Sequence, residues 1–221
     1  MSIRNIDSFT HTRGESVYLD DIPLVNGTLF ASVFGSPVAH GKILQINITE
    51  AASMEGVVRI FTYKDIPGKN QIGGIIPDET LLATDEVHYM GMPVVLVVAD
   101  SAEIAAAAVK KITIEIEKYP VVTNPRTAHA NGSLIVPPRT FKIGDSENTF
   151  ENCTHIFEGV AETNGQEHLY IETQGAYAIP GENNSIRIIS STQGPTAVQK
   201  HTSAATGIAM HRVEVDTTRP G

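Results

Sequence analysis

The sequence predicts an α/β fold in which strands alternate with short helices. Three observations carry that expectation. Residues 93–99, Pro-Val-Val-Leu-Val-Val-Ala, form a near-continuous β-branched run, the pattern of a strand buried on both faces. Residues 101–111 hold five alanines and end in Lys110 and Lys111, whose charges suit a helix C-terminus. Ile112, Ile114 and Ile116 then alternate with Thr113, Glu115 and Glu117, which describes a strand with one wet face. The segment 93–117 thus reads strand–helix–strand, and a right-handed crossover of that kind predicts two parallel neighbours in one sheet.

The elements before it follow in order. Residues 28–34 are rich in β-formers and end at a Gly-Ser-Pro turn. Residues 42–49 alternate Ile43, Gln45 and Asn47 against Leu44, Ile46 and Ile48, a half-buried strand. A short helical turn over 50–54 stops at Gly56, and a strand over 57–61 is closed by Asp65-Ile66-Pro67-Gly68. Residues 69–80 read as a loop. Asp100 or Ser101 caps the helix that begins at 101, with Glu103 in its first turn.

Beyond the strand that ends near residue 117 the character changes. Residues 119–150 carry prolines at 120, 125, 137 and 138 with little periodicity, and predict an extended linker draped over the first domain. A second region starts near Thr154. Strands are expected over 155–163, 169–179 and 185–191, the last two joined by Pro180-Gly181-Glu182-Asn183-Asn184. A helix over 195–205 opens on Pro195 and stops at Gly207, and a last strand covers 212–215. The second region shows no obvious core of its own.

Composition narrows the function classes. The 221 residues are 41% apolar and 19% charged, so a packed core is expected and disorder is not. The net charge is −9 with no basic block, which argues against nucleic acid as a partner. No run approaches the roughly 20 apolar residues of a membrane helix. The N-terminus has no apolar stretch or cleavage site of a secretory signal, so a cytoplasmic location is expected. Cys153 is the only cysteine, which excludes an internal disulfide, a four-cysteine zinc site and a self-contained iron–sulfur cluster. Asn-x-Ser/Thr triplets at Asn26, Asn47, Asn131, Asn152 and Asn183 are then turn residues.

Phosphate-loop, dinucleotide-loop, zinc-helix and nucleophile-elbow motifs are all missing from the sequence. Cys153 and His155 would share a face on one strand and suggest a thiol–imidazole pair, against the plainer reading of a small core residue. His168 and Glu172, four apart, could begin a metal site, but no third ligand is marked; a structural hydrogen-bonding role is the alternative. Gln193 lies in Ser190-Ser191-Thr192-Gln193-Gly194-Pro195, between a strand end and a helix start. That is a natural place for a ligand-facing residue, and equally for a turn residue bonding its own backbone. From these residues the chain has no self-sufficient active site.

Several segments together resemble the molybdenum-binding subunit of the aldehyde oxidase and xanthine dehydrogenase family. Gly14-Glu15-Ser16-Val17-Tyr18-Leu19-Asp20-Asp21 is similar to its G-x-A-x-Y-x-D-D opening, with Ser16 in place of alanine. Ser36-Pro37-Val38-Ala39-His40-Gly41 resembles S-x-x-A-H-A, with Gly41 departing, and Tyr89-Met90-Gly91-Met92-Pro93-Val94 resembles Y-x-G-Q-P-V, with Met92 departing. The resemblance implies an α/β hammerhead domain over 1–120, a linker over 121–153, and the truncated start of a molybdopterin-binding domain over 154–221. Gln166-Glu167-His168-Leu169-Tyr170-Ile171-Glu172-Thr173 and Ser190-Ser191-Thr192-Gln193 carry the second part, in a form similar to the xanthine dehydrogenase branch.

What the resemblance implies for function is specific. Gln193 matches the family glutamine whose neutral amide donates to an oxo ligand of molybdenum. Gly221 stands where the family's glycine-rich G-G-G-F-G-G loop would begin, so the catalytic residues are expected beyond it, and the chain alone is expected to be inactive. The implied cofactors are molybdenum–molybdopterin, with iron–sulfur clusters and FAD on partner subunits or domains, and the implied assembly is an oligomer. The implied substrates are purines, hypoxanthine or xanthine, hydroxylated with water-derived oxygen. Ala197, where xanthine enzymes can carry lysine, weakens the purine reading, and an aldehyde oxidase-type hydroxylase is the alternative. A non-catalytic hammerhead module that binds neighbouring subunits is the alternative from another class.

Overall fold

The computed structural model describes residues 7–170 and 172–218. These fall into two compact units: one joins the chain up to Pro120 with the chain from Tyr170 onward, and the other is Val121–Leu169. Among the described residues, no helix is long and apolar enough to cross a membrane.

The larger unit opens with a short helix, α1 (Ser8–Arg13), and a single 3-10 turn, Leu19–Asp21, in which the Tyr18 N–H donates to the Asp21 carboxylate at 2.9 Å. Next come β1 (Phe30–Gly35), β2 (Gly41–Asn47), α2 (Thr49–Ala52), β3 (Val57–Phe61), β4 (Glu86–Val87), β5 (Pro93–Ala99), α3 (Ala102–Val109) and β6 (Thr113–Lys118). They build two three-stranded sheets, ordered β1-β5-β3 and β4-β2-β6. As its sequence predicts, β5 is buried on both faces: Val94, Val95, Val97 and Ala99 are wholly inaccessible. The three valines form the core with Ala51, Ala83, Val87, Met92, Ala108 and Ile112. Ser101 caps α3, its hydroxyl accepting from the Ile104 N–H at 3.2 Å.

The predicted parallel pairing within 93–117 is not what forms. Antiparallel β1 and β3 occupy the two edges of β5, and β6 crosses to the other sheet, antiparallel to β2. The reason lies in the side chains of β6. Its one apolar face needs a partner with matching isoleucines, and the register supplies it: Ile116 opposite Ile43 and Ile114 opposite Ile46. The alternation of β2 is broken by a bulge between Ile43 and Gln45. That extra residue turns Leu44 outward and lets Ile43 and Ile46 both reach the core. Two departures from the family motifs also find their causes here. A Cβ on Gly41 would sit 2.5 Å from the Glu117 carbonyl oxygen and 2.6 Å from a methyl of Ile116, so alanine does not fit. Met92 is buried, and its thioether lies 3.4 Å from the His88 backbone nitrogen, which donates to it.

The chain from Tyr170 contributes a third sheet to the same unit. The smaller unit, between, is mostly irregular. It holds α4 (Pro125–Ala130), capped by Asn124, and α5 (Ser146–Glu151), capped by Asp145. Arg126 pairs with Glu162, and Lys142 with Glu147 at 3.2 Å. The extended linker predicted over 119–150 thus contains two short helices. The strand predicted over 155–163 does not form: these residues are exposed and join no strand ladder among the described residues.

The third sheet is β7 (Ala176–Pro180), β8 (Ile186–Ser190) and β9 (Val213–Thr217), with α6 (Pro195–Thr206) between the last two. β7 and β8 are an antiparallel hairpin whose turn places Asn183 and Asn184 at positive φ, a conformation asparagine tolerates. β8 and β9 run parallel, from Ile186 opposite Val213 to Ser190 opposite Thr217. A strand–helix–strand crossover with parallel strands therefore does exist in this chain, at 186–217. The strand expected over 169–179 begins only at Ala176, and Leu169 has a positive φ of 51°.

Candidate cofactor site

The loop after β8 is shaped by its own hydroxyls. Ser190 Oγ donates to the Gly175 carbonyl at 3.1 Å. Ser191 Oγ accepts from the Gly175 N–H at 2.9 Å and donates to the Thr173 carbonyl at 2.8 Å. Thr192 Oγ1 accepts from the Gly194 N–H at 3.1 Å. Pro195 then starts α6 at a position where its missing N–H has no cost. Every hydroxyl of Ser190-Ser191-Thr192 is spent on fixing backbone, and the next side chain is Gln193.

Gln193 is exposed and makes no hydrogen bond among the described residues. Its carboxamide lines an open cleft of about 440 Å³, together with Tyr170, Gln174 and Val198. The self-bonded turn residue is therefore not the arrangement seen. Ala197 lies on the first turn of α6 and is exposed, its N–H donating to the Gly194 carbonyl at 3.0 Å. Gly221 lies outside the described residues.

Glu172 forms the floor of the cleft and is only 7% exposed. Its Oε1 accepts from the Leu19 N–H at 2.5 Å and its Oε2 from the Thr218 hydroxyl at 2.9 Å. Beside it, Gly175 lies against Leu19, and a Cβ at that glycine would overlap the leucine methyl. The carboxylate is thus a structural bridge, and the metal reading of the His168–Glu172 pair falls, because both of its oxygens are engaged. His168 is exposed, with its N–H donating to Glu167 at 3.1 Å. The Cys153–His155 pair falls as well. Cys153 sits just past α5, exposed, with Sγ 3.3 Å from the Thr149 carbonyl, and no strand aligns it with His155.

The donor set of the cleft suits a polar, acceptor-rich cofactor. A neutral carboxamide is unengaged, the 12-residue α6 directs its positive N-terminal end toward the same loop, and the one buried carboxylate is already neutralised by donors.

One cluster was not legible as a site in the sequence. His40, Glu86 and His88 place three ligand atoms within 4.8 Å of one another. The i, i+2 spacing of Glu86 and His88 about the buried Val87 was a signal, but joining them to His40 required the pairing of β2 with β4. The Pro120 carbonyl and then the Glu86 carboxylate raise the His40 imidazole above its ordinary pKa.

A hammerhead pair of sheets followed by a hydroxyl-pinned Gln193 loop defines a molybdenum-hydroxylase type of protein. Residues 13–120 match the family model described as aldehyde oxidase and xanthine dehydrogenase, a/b hammerhead domain, and residues 128–221 match the molybdopterin cofactor-binding domain. The chain belongs to the aldehyde oxidase and xanthine dehydrogenase family. It is similar to the xanthine dehydrogenase of Emericella nidulans, 34% identical over 95% of this chain and 16% of that protein. It is similar also to aldehyde oxidase 2 of Cavia porcellus, 35% identical over 100% of this chain and 16% of that one. Among solved structures, the aldehyde oxidoreductase of Desulfovibrio gigas superposes with a TM-score of 0.83 at 26% identity, over 96% of this chain and 26% of its own. The chain spans about a sixth of the length of its curated relatives.

Proposed function

We propose that this chain supplies the hammerhead domain and the first part of the cofactor site of a molybdenum hydroxylase similar to xanthine dehydrogenase. The observation that carries the reading is the Gln193 carboxamide, unengaged at the mouth of its cleft while its neighbours' hydroxyls hold the loop still. When bound, molybdenum–molybdopterin would take up the electron pair released as water-derived oxygen is inserted at a carbon of a purine or an aldehyde, with iron–sulfur clusters and FAD on partner subunits or domains carrying electrons onward.

The residues of this chain would bind and orient. Gln193 would donate a side-chain N–H toward the metal centre without adding charge to it. The N-terminal turn of α6 would favour the acceptor atoms of the group. Ala197 presents no cation beside Gln193, which favours a second reading, an aldehyde as substrate.

The test is steady-state oxidation of xanthine and of an aromatic aldehyde by the assembled enzyme, with wild type, Gln193→Ala and Gln193→Glu, each assayed for molybdenum. Loss of one preorganised donor should lower turnover about 10²–10³-fold. Gln193→Glu should be slower still, because a carboxylate would face an electron-rich ligand. Equal activity at equal metal content in all three would reduce Gln193 to a loop residue. The substrate that sustains turnover decides between purine and aldehyde.

A further inference from the structure

We propose that His40, Glu86 and His88 form a binding site for one divalent transition-metal cation, of which zinc is the model. The site lies on the β4-β2-β6 sheet, and none of the three residues lines the cleft that holds Gln193. It is therefore independent of the function proposed above.

Backbone pairing builds the cluster. Val87, wholly buried, pairs with Gly41 across the short β2–β4 ladder, so Glu86 and His88 on either side of it point the other way. The same register, carried one residue past Gly41, sets His40 opposite His88, and the two rings lie 6.1 Å apart. Glu86 Oε1 is 2.7 Å from His40 Nε2 and 3.7 Å from His88 Nδ1. Tetrahedral ligands at zinc distances of about 2.0–2.2 Å stand roughly 3.3–3.5 Å apart. A cation would push His40 and Glu86 slightly apart, while His88, with a side chain 60% exposed, rotates to close the third side.

His40 carries the strongest argument. Its Nδ1 lies 3.1 Å from the Pro120 carbonyl oxygen, which only accepts, so the proton belongs on Nδ1. The Tyr119 ring meets the imidazole edge-on at 5.2 Å and fixes its plane. The lone pair of Nε2 then points at a carboxylate oxygen, itself an acceptor. Two facing acceptors need a cation between them, either a second proton on the ring or a metal ion. A ligating histidine whose other nitrogen donates to a backbone carbonyl is the usual outer-shell arrangement of protein metal sites. Two imidazoles and one carboxylate select zinc, cobalt, nickel or copper over magnesium and calcium, and leave a fourth position for water. Bound there, the ion would tie the His40 turn to β4, which is otherwise held by a two-residue ladder.

The experiment is equilibrium dialysis of the tag-free full chain against Zn²⁺, with metal quantified per chain, and parallel titration with Co²⁺ followed by visible absorption. Wild type should bind one equivalent saturably and develop the intense bands of four-coordinate cobalt. His88→Ala and Glu86→Gln should weaken binding by at least about 10–100-fold. His201→Ala and His211→Ala, elsewhere on the surface, should bind as wild type. At zinc a hundred times Kd the wild-type Tm should rise by about 5–10 °C, and the His88→Ala value should not follow. His88 is exposed, so its variant is expected to fold, which circular dichroism checks; Glu86→Gln repeats the test at a second ligand. Absence of saturable binding to wild type, or equal affinity and spectra for wild type and His88→Ala, overturns the proposal.

Discussion

Removing the Glu172 carboxylate should be the most damaging single polar change in the described part of the chain. The side chain is 7% exposed and receives two hydrogen bonds from residues far apart in sequence, the Leu19 N–H at 2.5 Å and the Thr218 hydroxyl at 2.9 Å. A hydrogen bond to a charged acceptor contributes about 1.5–3 kcal/mol, and a buried donor left without a partner costs about 1–3 kcal/mol. The Leu19 N–H cannot move away from its plane, whereas the Thr218 hydroxyl can turn toward water. Glu172→Ala should therefore lose about 3–4 kcal/mol. Glu172→Gln can keep its oxygen on Leu19 and donate its amide to Thr218, so only the charge assistance goes, about 1–2 kcal/mol. For a chain of this size each kcal/mol moves Tm by about 2–4 °C, giving shifts of about 6–16 °C and about 2–8 °C. Calorimetry or urea unfolding of the two variants and Thr218→Val gives the order directly. A Glu172→Ala protein melting within about 1 °C of wild type would show that the bridge contributes nothing and would refute the reasoning.

Other outcomes follow from single contacts. Asp65 accepts from the Thr62 N–H at 2.8 Å and the Thr62 hydroxyl at 2.9 Å, which lowers its pKa below the usual carboxylate value. A depressed folded pKa contributes stability above the unfolded value, near 3.8, that disappears as pH falls through the folded one; Asp65→Asn should lower Tm at neutral pH and flatten the acid limb of the Tm–pH curve, the two curves converging at low pH. Ser101→Ala removes the cap of α3 and should cost about 1 kcal/mol by urea unfolding, with helix content at zero denaturant unchanged. Val95→Ala empties a wholly buried position and should cost about 2–3 kcal/mol, whereas Val58→Ala, with Val58 52% exposed, should change stability by less than about 0.5 kcal/mol.

Periodicity recovered the elements whose side chains meet a partner with the same pattern. The run 93–99 and the alternation of 113–118 were legible because burial on two faces or on one leaves its mark on every residue. Which strands pair was not legible, because pairing depends on matching two distant patterns: Ile114 and Ile116 find Ile46 and Ile43, about seventy residues back, across a bulge that no local rule marks. The failed strand at 155–163 shows the converse. Ile156, Phe157 and Val160 have β-forming side chains, but among the described residues no strand pairs with them, and they are exposed. At the candidate cofactor site, the position of Gln193 between a strand and a helix was readable from the order of residues. That its side chain is unengaged was not, since it follows from three neighbouring hydroxyls that take up the backbone instead.

The absence of a separate core in the second region, expected from its sequence, has a consequence for that site. In the β7-β8-β9 sheet the buried apolar side chains are Ile188 and Val213. That is too little to fix three strands and a helix, so the sheet depends on the first 120 residues. The contacts are specific: the Val25 N–H donates to the Tyr177 hydroxyl at 2.9 Å, Thr28 Oγ1 meets the same oxygen at 3.1 Å, and Leu19 is held by Glu172. The end of α6 is tied in turn, with the Gly68 and Lys69 N–H groups donating to the Ala205 and Ala204 carbonyls at 2.9 and 2.7 Å. The segment leading into the sheet, β7 and the end of α6 are thereby anchored to loops of the hammerhead. A change at Leu19 or Gly68, distant in sequence from the cleft, would displace the Gln193 loop without touching it. Hydrogen exchange supplies the check: Leu19→Ala should raise exchange in 190–194 and in β9 while leaving β5 protected, and unchanged protection of that loop would mean the small sheet holds itself.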